Sequence, residues 1–190
     1  MPIEVGEFMS KGRRVKVLYD EKVIAERVTT LAAEIAAVKP KDLLVVAILK
    51  GSFMFAADLL RAMHRAGLEP HVEFFHLSSY REGTVSSGTV KILRDIESAV
   101  KDRDIVLIDD ILESGRTLAF AKDLLVARGA RRVLVCTLLE KRGKREVPIT
   151  ADFVGFDCPD DFVVGYGMDV AHSYRELPFI GHVVTEADRP

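Results

Sequence analysis

Four consecutive apolar residues, Ile105-Val106-Leu107-Ile108, run directly into two adjacent carboxylates, Asp109 and Asp110. The turn Glu113-Ser114-Gly115-Arg116-Thr117 follows, at the head of an amphipathic stretch. No other segment constrains the chain as tightly. A wholly apolar strand must be covered on both faces, which calls for a parallel sheet with helices packed on it. Residues that follow such a strand lie at the carboxyl edge of the sheet, where ligands bind and helix N-termini present unbonded N–H groups. The two acids are expected where the strand ends. Carboxylates there can hold sugar hydroxyls or a hydrated cation, while the turn and the helix dipole hold a phosphate. Gly115 permits close backbone approach, Ser114 and Thr117 add hydroxyl donors, and Arg116 offers charge.

The remaining chain repeats this alternation. Ile24, Val28, Leu31 and Ile35 recur at helical spacing between Asp20 and Val38, and Lys39-Pro40 ends the run. Leu43 to Leu49 reads as a second doubly covered strand, followed by Lys50-Gly51-Ser52 and a helix from Phe53 through Arg65, stopped by Gly67. Val72, Phe74, Phe75 and Leu77 predict another strand. Ser79 to Gly88 is polar and glycine-bearing, which predicts a long mobile loop. Thr117 to Ala127 predicts the helix after the opening strand, closed by Gly129; Val133 to Leu139 and Asp152 to Phe156 predict further strands. Strands alternating with helices predict an α/β fold: a central parallel sheet flanked by helices, with right-handed crossovers. The 190 residues predict a single domain. Its core is expected over about 20–157, with a small hood from the N-terminal residues and about 158–190, where Pro159, Gly165, Gly167, Pro178 and Gly181 interrupt any regular pattern.

Several function classes lose support. A formal net charge of -2 gives no electrostatic case for nucleic acid or an acidic membrane surface. The basic runs at Lys11 to Lys16, Arg128 to Arg132 and Lys141 to Arg145 read as solvated faces. Cys136 lies within an apolar run and reads as a buried, inert thiol; two distant cysteines make no secreted disulfide framework. His64, His71, His76, His172 and His182 show no close metal-ligand spacing. Met1 to Ser10 carries two Glu and a Pro instead of a basic start and apolar core, and no apolar run reaches spanning length. A cytoplasmic protein without nucleic-acid or membrane partners is the expectation.

Val-Leu-Ile-Asp-Asp-Ile-Leu-Glu-Ser-Gly-Arg-Thr, residues 106–117, resembles the 5-phosphoribosyl-1-pyrophosphate (PRPP) motif of type I phosphoribosyltransferases. Further segments, in order, resemble the hypoxanthine-guanine enzymes of that family. Leu49-Lys50-Gly51 is similar to their pyrophosphate loop, in which a cis peptide precedes the glycine. Ser79-Tyr80 resembles the start of their mobile catalytic loop. Leu138-Leu139-Glu140-Lys141-Arg142 resembles the segment carrying the purine-reading lysine. Residues 152–156 and 162–169 resemble the strand and hood that hold the base, and Tyr174-Arg175-Glu176-Leu177 resembles the segment supplying a pyrophosphate-binding arginine. The similarity spans Leu43 to Leu177.

The resemblance implies transfer of ribose 5-phosphate from PRPP to N9 of hypoxanthine, and of guanine, with release of pyrophosphate. It implies PRPP binding by Asp109, Asp110, Ser114, Gly115, Arg116 and Thr117, and pyrophosphate binding by Lys50, Gly51 and Arg175. Lys141 would donate to the purine O6, Phe162 would stack on the base, and backbone groups at Val163 and Asp169 would read its other edge. Mg²⁺ would be held through Asp109, Asp110 and Asp169, whose oxygens are the hard ligands that ion prefers. Closure of the loop begun by Ser79 and Tyr80 would shield the reacting sugar from water. The family commonly forms homodimers or homotetramers. One residue departs: an Asp usually stands where this chain has Glu113, as the group that assists the proton at the purine N7. Two alternatives stand beside this reading. One is an enzyme preferring xanthine or guanine; the other is a regulatory protein that senses nucleotides on the PRPP fold and binds nucleic acid.

Overall fold

The computed structural model describes residues 6–10, 13–79, 90–160 and 162–184. The described residues form two sheets and three helices. In chain order the first elements are β1 (Glu7–Ser10), β2 (Arg13–Tyr19), α1 (Glu21–Ala37), β3 (Leu44–Leu49), α2 (Phe53–Arg65) and β4 (His71–Ser79). Then come β5 (Val90–Arg94), β6 (Asp104–Leu112), α3 (Arg116–Ala127), β7 (Arg132–Glu140), β8 (Phe153–Asp157), β9 (Val163–Val164) and β10 (Ile180–Val183). The larger sheet has the order β5-β4-β3-β6-β7-β8 and is parallel except for β5.

Its central strands explain themselves from sequence. Alternate residues of β3, β6 and β7 feed opposite layers, so an uninterrupted apolar run is what the position requires. Val45, Ala47, Val106, Ile108, Cys136 and Leu138 pack under α1 and α2 with Leu31, Ile35, Phe55 and Leu59. Leu44, Val46, Ile105, Leu107, Val133 and Val135 pack under α3 with Leu118, Ala121 and Leu125. Asp20 caps α1 by accepting from the Val23 N–H at 2.8 Å. Cys136 lies in the first of these layers, and burial pushes its thiol up, keeping it protonated.

One difference from the sequence expectation matters. β5 has no counterpart in it. This antiparallel edge strand pairs on one side only, and four of its five residues are exposed, so no apolar periodicity marks it. The expected loop from Ser79 to Gly88 lies outside the described residues from Tyr80 onward; Ser79 ends β4, opposite Val90. The second sheet, β1-β2-β10-β9, draws strands from both ends of the chain. Val15, Val17, Val164, Tyr174, Leu177 and Phe179 form its own apolar cluster. Tyr166 ties its return loop to α2, donating to Asp58 at 2.5 Å. Among the described residues no helix is long and apolar enough to cross a membrane.

One charged group is built into the frame. Asp104, fully buried at the start of β6, accepts from the Lys41 N–H and from Arg132, each at 2.9 Å, and from Arg131. Burial favours its neutral form, yet these donors prevail and hold its carboxyl below the ordinary value. A depressed native pKa contributes stability at neutral pH that is lost as pH falls through the acid range below about 4. Asp104→Ala is expected to lower unfolding free energy by about 2 kcal/mol at pH 7. Urea titrations should show that difference shrinking toward acid pH.

Candidate active site

Asp109 and Asp110 lie within β6, not at its end as the sequence suggested. β6 stays paired with β7 as far as Leu112 opposite Glu140, whereas its pairing with β3 stops at Ile108 opposite Ala47. The acids therefore stand where β3 peels away and one side of β6 is uncovered. The opening is a cleft of about 300 Å³. Leu49, Lys50 and Gly51 line it from the end of β3, Asp109, Asp110 and Glu113 from β6 and the turn after it, and Ser114, Gly115 and Thr117 from the start of α3.

The carboxylate pair is electrostatically unsatisfied. Burial, reinforced by the charge of Asp110, pushes the Asp109 carboxyl well above the usual range. Burial raises Asp110 too, opposed by its contact with Asp109 and by the positive charge of Arg175. Two acids so placed ionise fully only when positive charge joins them. That chemistry fits a hydrated divalent cation carried on a phosphorylated ligand.

The floor of the cleft is made of backbone at close quarters. The Leu49–Lys50 peptide is cis. A Cβ on Gly51 would fall 1.7 Å from Asp110 Oδ2, and one on Gly167 would fall 2.2 Å from the Gly51 carbonyl oxygen. Gly167, at φ +99°, in turn accepts from Arg175 Nη1 at 2.6 Å. Arg175 Nη2 lies 2.6 Å from Asp169 Oδ1, and the other Asp169 oxygen accepts from the His172 N–H at 2.7 Å. Lys50, Gly51, Asp110, Asp169 and Arg175 thus form one continuous cluster. Asp169 reaches it through Arg175 and does not line the cleft.

The turn into α3 has the character of an anion site. Gly115 takes the cap position at φ 84°, and no side chain caps the helix. Ser114 Oγ makes only a long contact with the Arg116 N–H, at 3.4 Å, which leaves the first turn open to a stronger acceptor. The Ser114 carbonyl accepts from the Glu146 and Val147 N–H groups at 2.9 and 3.0 Å, so the 141–149 loop folds back on the turn. A Cβ on Gly115 would meet Ile149 Cγ2 at 2.7 Å, so this glycine is required by packing as well as by its positive φ. The Arg116 side chain turns away from the other residues of the turn. Its guanidinium is paired with Glu146, with Nε 2.5 Å from Oε2, and does not line the cleft.

At the other end stands Glu113. Its Oε1 lies 3.6 Å from the ammonium of Lys141, a residue only 5% exposed, and 3.6 Å from that of Lys144. Lys141 is fixed there because its N–H donates to the Leu112 carbonyl at 2.9 Å. Phe162 is 56% exposed beside buried Val163, which opens β9; neither lines the cleft.

A profile described as "Phosphoribosyl transferase domain" matches residues 14–171. A hypoxanthine phosphoribosyltransferase of Buchnera aphidicola is 42% identical over 90% of this chain and 96% of its own. The chain belongs to the hypoxanthine phosphoribosyltransferase family. The crystal structure of a hypoxanthine-guanine phosphoribosyltransferase from Bacillus anthracis, with a HEPES molecule in its active site, superposes with a TM-score of 0.83 at 40% identity. That match covers 89% of this chain and 98% of the other. The bifunctional TilS/HprT protein of Listeria innocua is 46% identical over 87% of this chain, which spans a quarter of that protein's length.

Against the family frame, the motif residues divide into two groups. Lys50, Gly51, Asp109, Asp110, Glu113, Ser114, Gly115 and Thr117 line one cleft. Lys141 joins them through Glu113, and Arg175 with Asp169 joins through Gly167. Val163, on the second sheet, and Phe162 just before it do not line the cleft, and Tyr80 is outside the described residues. Sequence reading missed Lys144 and Gly167. Gly167 reveals itself only through its contact with Gly51, 116 positions away along the chain, which no local pattern encodes.

Proposed function

We propose that the chain transfers the 5-phosphoribosyl group from PRPP to N9 of hypoxanthine, and of guanine, in purine salvage. The observation that carries this reading is one cleft lined both by a carboxylate pair, Asp109 buried and Asp110 partly so, and by a helix N-terminus whose cap residue is a glycine. The first-turn N–H groups of α3, with Ser114 and Thr117, would take the 5-phosphate. Asp109 and Asp110 would hold the ribose hydroxyls and Mg²⁺. No cluster of three or more metal-ligating side chains occurs among the described residues. Mg²⁺ commonly relies on one or two carboxylates and on substrate phosphates, so this donor set fits it. Asp169 is a candidate for a second ion, in exchange for its pairing with Arg175. When bound, Mg²⁺ neutralises the charge gathering on the pyrophosphate.

Lys50, the Gly51 backbone and Arg175 would hold the pyrophosphate as the C1–O bond breaks. N9 then forms its bond to C1, and the purine N7 proton passes to Glu113. Lys141, held against Glu113, would donate to the purine O6, which selects 6-oxopurines over adenine. Phe162 would stack on the base, with backbone at Val163 and Asp169 reading its far edge. Assembly as a dimer or tetramer belongs to the same proposal. Val72, Phe74, Ile92 and Leu93 on β4 and β5 offer exposed apolar surface for a second copy. The proposed setting is the cytoplasm.

Incubation with PRPP, Mg²⁺ and each purine base tests the reading. Hypoxanthine and guanine should give mononucleotide, and adenine none; product with adenine alone would overturn it. Lys141→Met should raise KM for hypoxanthine roughly tenfold to a hundredfold, as loss of a charged hydrogen bond does, with KM for PRPP little changed.

A further inference from the structure

We infer that Lys144 is a positioning residue that holds Glu113 for proton transfer, an inference resting on the acid–base role proposed for Glu113 above. The basic run Lys141 to Arg145 divides by partner. Arg142 pairs with Glu140 and Asp157, at 3.3 and 3.0 Å, and Arg145 pairs with Glu140 at 2.9 Å. Arg116, the other nearby guanidinium, is taken by Glu146. The two lysines, Lys141 and Lys144, both reach Glu113 Oε1.

The backbone makes this arrangement specific. Lys141 donates its N–H to the Leu112 carbonyl, while Glu146 and Val147 donate theirs to the Ser114 carbonyl. The two segments are therefore bonded on either side of Glu113, and Lys144 lies between those bonds. Gly143 lets the loop approach residue 160 closely: a Cβ there would fall 2.1 Å from Asp160 Oδ2. Lys141 is buried and fixed, whereas the Lys144 side chain is 60% exposed. Glu113 Oε1 thus meets one buried ammonium and one exposed ammonium at the same distance. A carboxylate one methylene longer than Asp has more side-chain freedom to lose, and the second ammonium restricts it.

The test uses the full-length chain, with kcat and KM measured for Lys144→Met, Lys144→Arg, Glu113→Gln and the Lys144→Met/Glu113→Gln double variant. Lys144→Met should lower kcat about fivefold, the scale of a partly exposed ion pair, with KM for PRPP unchanged. Lys144→Arg should restore most of that loss. In the Glu113→Gln background Lys144→Met should have no further effect, because the pair is already broken. Wild-type turnover in Lys144→Met, no rescue by Arg, or an equal loss in the Gln background would each overturn the inference alone. Absence of nucleotide from the wild-type chain, or full activity of Glu113→Gln, would overturn the functional reading and this inference with it.

Discussion

Glu113→Gln is expected to lower kcat by about a hundredfold to a thousandfold while leaving KM for PRPP within about twofold of wild type. Removing a general base from a transition state costs on this scale, whereas PRPP is held by groups that the substitution does not touch. The cleft keeps these functions apart. The α3 turn and the carboxylate pair line the cleft, and Glu113 alone of its acids meets Lys141 and Lys144. Glutamine preserves side-chain length and hydrogen-bonding capacity at Lys141, so the ammonium proposed to read the purine keeps a polar neighbour. A loss shared equally between kcat and PRPP binding would show instead that Glu113 organises the turn. Steady-state kinetics with both substrates varied separates these results.

Gly51→Ala is expected to raise KM for PRPP by on the order of a hundredfold, the effect of about 1 Å of misplacement at a reacting centre. The added methyl would occupy the position of Asp110 Oδ2, 1.7 Å away, with Asp110 Cγ at 2.5 Å. Gly51 is also confined by Gly167, which approaches the Gly51 carbonyl closely and whose own carbonyl is held by Arg175. Asp110 must therefore move, and with it the carboxyl group proposed to hold the ribose hydroxyls and Mg²⁺. Lys50 and the peptide before it should shift as well. Calorimetric titration with PRPP and Mg²⁺ should show the loss directly, and the thermal midpoint would reveal any accompanying loss of fold.

Much of this site could be read from the chain because its chemistry is local. Residues 109–117 place two acids, a hydroxyl turn and a helix start within nine consecutive positions, and the flanking apolar run identifies the strand that carries them. The central strands were legible for a related reason: burial on both faces leaves an uninterrupted apolar signal in β3, β6 and β7. What escaped was set by pairing across the chain. β6 runs two residues past the acid pair because β7 continues beside it after β3 has left, a matter of register rather than composition. β5 is exposed and one-sided, and its sequence carries no period. Arg116 reads as a phosphate ligand until Glu146, 30 positions on, is found to hold its guanidinium. Lys144 sits in a basic run that resembles solvated surface, and only the fold shows which of those cations face Glu113.

Glu113 also gains a physical context that the sequence could not supply. Where close purine enzymes commonly have Asp, the longer side chain here meets two ammonium groups at the same distance. Extra reach and extra restraint occur together, as the acid–base role proposed for Glu113 requires.

The central claim is that this cleft joins PRPP to a 6-oxopurine. Its most direct test is to mix the full-length chain with PRPP, Mg²⁺ and hypoxanthine and to quantify inosine monophosphate and pyrophosphate together. The account predicts both products in equal amounts, with neither formed when hypoxanthine is omitted. Pyrophosphate released without nucleotide, or no reaction with any 6-oxopurine, would contradict it.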